Sequence, residues 1–435
     1  MSNFAISGRV WINNEFHEVA VVLKEGRIVD ILPRSSVPLN TPLIDFGDNL
    51  ILPGLIDVHV HLRDFEQSYK EDFSSGTKAA IAGGYTTLLA MPNTKPPISS
   101  TEMLQNAKER AQEKIFCDVG FHIGLNENPV NSIKALRKGG FSIKLYPEDI
   151  RLISEDEGKK KILTNEGEIF FTIHCEDLER IEANKAKIEN KVENHSRIRD
   201  EIAELNGVEL CLKLLKSKNL HVVHLSSDLA LRRLLSEDEF NKKITFEVTV
   251  HHLSLTKKKV EEFKGIAKTN PPLRNEEDIL ALRKALNEGK VTAIVTDHAP
   301  HSIKEKEFEE YDLIPPGFPG LETALPVLLT LVKSGEISLK ETILALTLKP
   351  SKRFGIPNVG EIRLNSFANL TIVRQNERWK IKSSNFFSKA KFSPFENMEV
   401  VGKVRAVFLR GEKVFEEGNI LSNPRGKVMI KTWNL

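Results

Sequence analysis

Eight short apolar runs, separated by stretches long enough for a helix, constrain this chain more than any other feature of its sequence. They read ILPGLIDVHV (51–60), TTLLAMPN (86–93), CDVGFHIGL (117–125), FSIKLYP (141–147), IFFTIHCED (169–177), LHVVHLSS (220–227), ITFEVTVHHL (244–253) and VTAIVTDHAP (291–300). Each is strand-sized, and most intervening stretches have the Ala/Glu/Lys/Leu composition of a crossover helix. YKEDFSSGTKAAIAGG (69–84) reads as such a helix, closed by Gly83 and Gly84, because glycine takes the left-handed conformation of a helix end without steric penalty. Near-continuous apolar strands suit a parallel sheet covered on both faces. Eight strand–helix units in a row predict an α/β fold, a (β/α)8 TIM barrel over residues 51–358, with an active site at the carboxyl ends of its strands.

The flanks have a different texture. Residues 1–50 hold short alternating segments broken by the turn signal Glu25-Gly26, and residues 359–435 hold similar ones, such as KVRAVFLRGEKVFEEG. Both read as antiparallel strands with hairpin turns. Since chain ends often lie close together, they predict one small, β-sandwich-like domain built from both termini. The charge-rich stretch 176–206 reads as a solvated helix beside the site.

Composition narrows the partners. The formal net charge is +2 and no segment is strongly basic, so nothing calls for nucleic acid. No apolar run reaches the ~18 residues of a membrane span, and the first residues lack the pattern of a signal peptide. Cys117, Cys175 and Cys211 are too few and too scattered for a disulfide framework, which fits a reducing compartment. A soluble, cytoplasmic protein is expected.

Polar residues interrupt the apolar runs at revealing places. The first run ends with His59 and His61, two apart and therefore on one face. The fourth carries Lys144, the fifth ends with His174, the sixth with His224 and the eighth with Asp297. Burying an unpaired charge or imidazole is costly, so these groups need partners. A lone histidine at a strand end is usually a hydrogen-bonded core residue. Four histidines, a lysine and an aspartate at one rim are poorly explained by packing, and a metal centre is their natural common partner. Lys144 fits poorly as it stands, because an ammonium with a pKa near ~10.4 does not bind a cation. It is either modified or a counter-charge to Asp297.

The remaining histidines divide by position. His221 lies toward the start of its strand and reads as structural. His122, His251 and His252 occupy or end strands, placed to orient ligands or water. His17 and His195 read as surface or loop residues. His298 should point away from its neighbour Asp297, and His301, in the following loop, is free to reach a substrate.

DVHVHLRD, YKEDF, GGYTTLLAMPNTKP, KLYP, HCED, NPPLR, TDHAPHS and PPGFPGLET together resemble the dihydroorotases of the amidohydrolase superfamily, from about residue 50 to 360 and more weakly to the end. The His-x-His pair is shared across the superfamily, whereas HLRD, MPNTKP and PPGFPGLET are far more specific. The resemblance implies two zinc ions per chain. His59, His61 and Asp297 would hold one, His174 and His224 the other, and a carboxylated Lys144 would bridge them; Asp156 in SEDEG is a competing bridge. It further implies reversible cyclisation of N-carbamoyl-L-aspartate to L-dihydroorotate, with a water between the ions attacking in the hydrolytic direction and Asp297 as the acid–base group. His61, Arg63, Asn93, Asn270, Arg274 and His301 would contact the substrate, with Pro316 and Gly317 lining the ring. As relatives are often dimers, a homodimer is a further expectation.

Three departures stand out. The chain has HLRDFEQS where many relatives have a Pro-Gly after the acidic residue. The segment after KLYP is EDIRLIS, whose first hydroxyl is Ser154, where relatives carry a threonine-bearing lid. Ala368-Asn369-Leu370 replaces the usual Ala-Asp-Leu. Two alternatives follow: another cyclic amidohydrolase, of hydantoinase or allantoinase type, or a catalytically inactive homologue.

Overall fold

A computed structural model describes residues 3–215, 218–238, 240 and 242–433. Each of the eight apolar runs contains a strand: Leu55–Val60, Tyr85–Ala90, Asp118–Phe121 (continued by Ile123–Gly124), Ile143–Leu145, Phe170–Ile173, Asn219–Val222, Ile244–Thr249 and Ala293–Val295. Neighbours pair in parallel in chain order. The barrel closes where Val60 bridges to His298 and the His61 N–H donates to the His298 carbonyl at 2.8 Å. That closure lies at the carboxyl ends of the first and eighth strands, so the ring is sealed at the level of the candidate ligands.

Helices cover the outside. The first runs Phe73–Ala82 and starts later than its sequence suggested, because Asp72 caps it through the Ser75 N–H. It ends as expected, with Gly84 at φ +89°. The charge-rich stretch departs from expectation. It breaks into helices Leu178–Lys185, His195–Ile198 and Glu201–Leu215. His195 is not a surface residue; it is buried, with Nδ1 on the Tyr311 hydroxyl and Nε2 on the Thr269 carbonyl, both at 2.8 Å. His251 and His252 lie on a short helix, Val250–Ser254, and not in the strand before it.

Both termini enter one eight-stranded sheet. Its order runs Asn419–Ile420, Glu412–Glu416, Glu399–Leu409, Leu370–Lys380, Leu43–Pro53, Phe4–Ile12, Glu15–Lys24, Arg27–Pro33. The Leu43–Pro53 strand joins the two halves, parallel to Phe4–Ile12 and antiparallel to Leu370–Lys380. Four hairpins turn on residue pairs with positive φ: Asn13-Asn14, Glu25-Gly26, Arg410-Gly411 and Glu417-Gly418. This conformation matches the twist of the flanking strands. Ile6, Val10, Val21, Leu370, Ile372 and Phe408 share one buried cluster, so residues from both ends of the chain pack together. The last residues run along the barrel, with the Met429 N–H on the Val119 carbonyl and Trp433 Nε1 on the Gly140 carbonyl.

Candidate metal centre and substrate cavity

At the carboxyl ends of the barrel strands lies a cavity of about 290 Å3, lined by His59, His61, Lys144, His174, His224 and Asp297. The six residues singled out in the sequence thus converge. His59 Nδ1 donates to Glu247 Oε1 at 2.5 Å, and His61 Nδ1 donates to Asn93 Oδ1 at 2.6 Å. With those hydrogens committed outward, the inward Nε2 atoms carry lone pairs. Both face Asp297 Oδ1, at 3.4 Å from His59 and 3.1 Å from His61. Their three ligand atoms lie within 4.8 Å of one another and all three residues are buried. Electron-pair donors that meet with no hydrogen between them repel unless a cation sits among them.

The other half of the cluster has the same logic. His174 Nε2 donates to Glu176 Oε2 at 2.5 Å, which leaves Nδ1 as its donor atom, and Glu176 is gripped in turn by Arg199. His224 sits at φ +39° with its Nδ1 buried and unpartnered, 4.4 Å from the His174 ring by centroids. Lys144 Nζ is likewise buried with no hydrogen-bond partner. Burial lowers its pKa to about 8, so the neutral amine is accessible near neutral pH. Orphaned donors, imidazole lone pairs and a carboxylate are the set that divalent zinc accepts, and the residues present fit such a centre.

Glu247 is the residue that sequence reading missed. It accepts from His59 Nδ1, from His221 Nε2 at 3.0 Å and from the His224 N–H at 3.3 Å. Burial opposes its ionisation, but His59 and the hydrogen bond from His221 outweigh burial and lower its pKa to about 2. The available signal was a carboxylate inside the apolar run ITFEVTV, as informative as Lys144 inside FSIKLY. His61 is lowered to about 4 by burial and is neutral at ordinary pH.

The substrate side is built from loops. Arg63, Asn93, Asn270, His301, Pro316 and Gly317 all line the cavity. Arg63, Asp64 and Phe65 adopt φ of +54°, +55° and +49°, and this turn takes the place of the absent Pro-Gly. Asp64 holds it, accepting from Arg110 and from the Phe65 and Phe73 N–H groups. Arg63 Nη2 lies 3.1 Å from His301 Nε2, and Lys70 Nζ lies 3.1 Å from His301 Nδ1. Gly317 stands at φ +118°, where a Cβ would come 2.5 Å from that of Ala299. Only glycine lets this main chain approach the cavity.

Two expectations need correction. Arg274 is buried but does not line the cavity; it binds Ser226 Oγ and the Arg199 carbonyl, and so holds Arg199, which does line it. Asp156 caps the helix Glu157–Asn165 and pairs with Lys159 at 2.9 Å, outside the cavity. Ser154 is exposed and turned to the Arg151 carbonyl. The hydroxyl-bearing residues that line the cavity are Tyr146, whose hydroxyl is buried and has no hydrogen-bond partner, and Thr269. His122 and His221 are held by core hydrogen bonds, His122 to Ser142 Oγ and the Val58 carbonyl, His221 to Thr245 Oγ1 and Glu247.

Residues 50–414 match the amidohydrolase family. The dihydroorotase of Pyrococcus furiosus is 36% identical over 98% of this chain and 96% of its own length. That of Methanosphaera stadtmanae is 33% identical over 97% and 98%. The chain belongs to the amidohydrolase family, among the dihydroorotases. Its fold is close to that of the L-hydantoinase of Arthrobacter aurescens, with a TM-score of 0.90 at 24% identity over 99% of this chain and 100% of the other. The dihydropyrimidinase of Brevibacillus agri superposes with a TM-score of 0.86 at 23% identity, over 100% of both. An amidohydrolase barrel carrying a β domain is therefore shared well beyond the dihydroorotases. Among the described residues, no helix is long and apolar enough to cross a membrane.

Proposed function

We propose that the chain is a zinc dihydroorotase, interconverting L-dihydroorotate and N-carbamoyl-L-aspartate in pyrimidine biosynthesis. The observation that carries this reading is near full-length similarity to dihydroorotases combined with six ligand-type side chains around one cavity. His59, His61 and Asp297 would hold one ion, His174 and His224 the second, and Lys144, as its carboxylated form, would bridge them. Carbon dioxide adds to a neutral amine, which suits a lysine whose buried nitrogen has no other partner. When bound, two divalent ions would acidify an attacking water and polarise the ring carbonyl.

The chain's own residues do the rest. Arg63 and His301, 3.1 Å apart at the cavity wall, would receive the ring carboxylate, since a planar guanidinium offers it paired donors. Asn93 keeps its amide NH2 for the substrate while its oxygen orients His61. Asn270 has a buried, unpartnered Oδ1 at the wall, an acceptor for a ring N–H. The Pro316–Gly317 main chain closes over the ring. Asp297 accepts the proton of the attacking water and delivers it to the departing ring nitrogen as the C–N bond breaks. Run backwards, the same groups close the ring.

A hydantoinase or allantoinase reading has the fold in its favour, but those substrates lack the ring carboxylate that Arg63 and His301 would bind. Turnover of dihydroorotate, hydantoin and allantoin by the zinc-loaded protein decides between them. Dihydroorotate should be preferred by at least ~100-fold in kcat/KM; preference for either other ring would sink the reading. A preparation refolded with zinc that retains less than one ion per chain would support the inactive-homologue reading.

A further inference from the structure

Asp297 sits at φ +46°, a backbone conformation that non-glycine residues keep only where the surroundings over-determine it. On its amino side, Thr296 is held by Asp57, whose Oδ2 accepts from both the Thr296 N–H and hydroxyl at 3.0 and 2.6 Å. On its carboxyl side, His298 is fully buried and gripped at four points. Its N–H donates to Thr296 Oγ1 and its carbonyl accepts from the His61 N–H. Its Nδ1 accepts from the Gly320 N–H at 3.2 Å, which places the ring hydrogen on Nε2, facing Glu71 Oε2 at 3.3 Å.

Glu71 is in turn fixed from far along the chain. The Ser388 hydroxyl donates to Glu71 Oε2 at 2.5 Å and the Lys389 N–H to Oε1 at 3.4 Å. Ser388 and Glu71 are both fully buried. Ser388 belongs to the C-terminal strap 381–398, between the strands Leu370–Lys380 and Glu399–Leu409, which is bolted down beside Glu71 with the Phe387 and Ser388 N–H groups on Glu322, and Lys389 Nζ on Asp72 and the Ser68 carbonyl. Three side chains, Ser388, Glu71 and His298, thus form a hydrogen-bonded series from the C-terminal strap to the peptide that carries Asp297 and receives His61. None of the three lines the substrate cavity.

We propose that this series positions the reaction centre: Ser388, acting through Glu71 and His298, holds Asp297 and His61 in register. Freeing the His298 ring lets its peptide drift, and both ligands drift with it. Displacements of about 1 Å at a reacting group cost on the order of 100-fold in rate. Ser388, Glu71 and His298 are positioning residues, acting on Asp297 and His61 through side-chain hydrogen bonds alone. The inference deepens the dihydroorotase reading and rests on it only for the choice of substrate.

The test compares Ser388→Ala, Ser388→Thr, His298→Asn and the double variant Ser388→Ala/His298→Asn, each measured for kcat, KM and zinc affinity by chelator competition. His298→Asn keeps an acceptor for the Gly320 N–H but loses the reach to Glu71. Ser388→Ala should lower kcat about 10-fold with KM within 2-fold and weaken zinc binding at least 3-fold. Ser388→Thr should restore both, and the double variant should be no worse than His298→Asn alone, because the groups act in series. Parent-like kcat and zinc affinity in both Ser388→Ala and His298→Asn would overturn the proposal, as would strictly additive losses. Lys389→Met removes a half-exposed ion pair of the same strap and should leave kcat within 2-fold; a loss equal to that of Ser388→Ala would reduce the series to strap docking and overturn it. If the parent turns over no dihydroorotate, the functional reading fails, while the zinc affinities still decide the positioning role.

Discussion

Glu247 accepts a hydrogen bond from His59 on the side of the imidazole turned away from Asp297, at 2.5 Å. That one contact sets which nitrogen of His59 carries its hydrogen, and so which one is offered to a cation. Glu247→Gln would present an amide able to donate as well as accept, and the imidazole would lose its fixed orientation. We expect zinc affinity to fall 10- to 100-fold, the usual cost of losing such a supporting partner, with the folded state retained. Chelator competition beside circular dichroism measures both.

Asp297→Asn removes the proton acceptor while keeping the side-chain shape. Turnover should fall by about 10^3-fold or more, in line with the weight of a positioned acid–base group and the simultaneous loss of an anionic ligand. Near-normal steady-state rates in a folded variant would contradict the mechanism.

Lys144 and Asp156 make opposite predictions. Lys144→Ala should lose one of two zinc ions and most activity, with partial rescue by short carboxylic acids that replace the missing bridge. Asp156→Ala, at a helix cap outside the cavity, should keep both ions and lose only the capping contribution to stability. Metal counts per chain, together with intact-mass detection of carbon dioxide added to Lys144, separate the two.

Lys70 holds one ring nitrogen of His301. Its ammonium lies 3.1 Å from Nδ1 and pairs with Glu305 at 2.7 Å, while Arg63 Nη2, at 3.1 Å, and the Pro316 carbonyl, at 3.0 Å, share Nε2. Lys70→Met should raise KM for dihydroorotate about 5- to 10-fold and change kcat less, because His301 serves binding more than proton transfer. A kcat-only effect in steady-state kinetics would refute that division.

Glu322 is half-buried, and its desolvation raises its pKa to about 8 against the N–H groups of Phe387 and Ser388 that favour the anion. A raised carboxyl pKa means that the folded state keeps a proton which the unfolded chain gives up near pH ~4.3. Its contribution to stability is therefore complete below that pH and is lost as the pH climbs toward 8. Glu322→Gln should flatten the fall of Tm between pH 6 and 8, by up to about 1.4 kcal/mol per pH unit of stability. Calorimetry at several pH values would show no such flattening if the group were ionised throughout.

The parts of this protein that its sequence determined are those whose physics is local. Eight apolar runs became eight parallel strands because burying both faces of a strand needs apolar residues at nearly every position. The same rule made His59, His61, Lys144, His174, His224 and Asp297 visible as violations at strand ends, and the period of two placed the first pair on one face. Glu25-Gly26 announced its hairpin by backbone preference alone. What only the tertiary structure decided are partnerships between distant segments. Glu247 and His59 are 188 residues apart, and Ser388 meets Glu71 across 317. Whether a buried histidine such as His195 lies at the surface or against Tyr311, and whether Arg274 faces the substrate or the back of Arg199, depends on which loop folds over it. Periodicity carries no information about that, since it records which side of an element is buried and not what buries it.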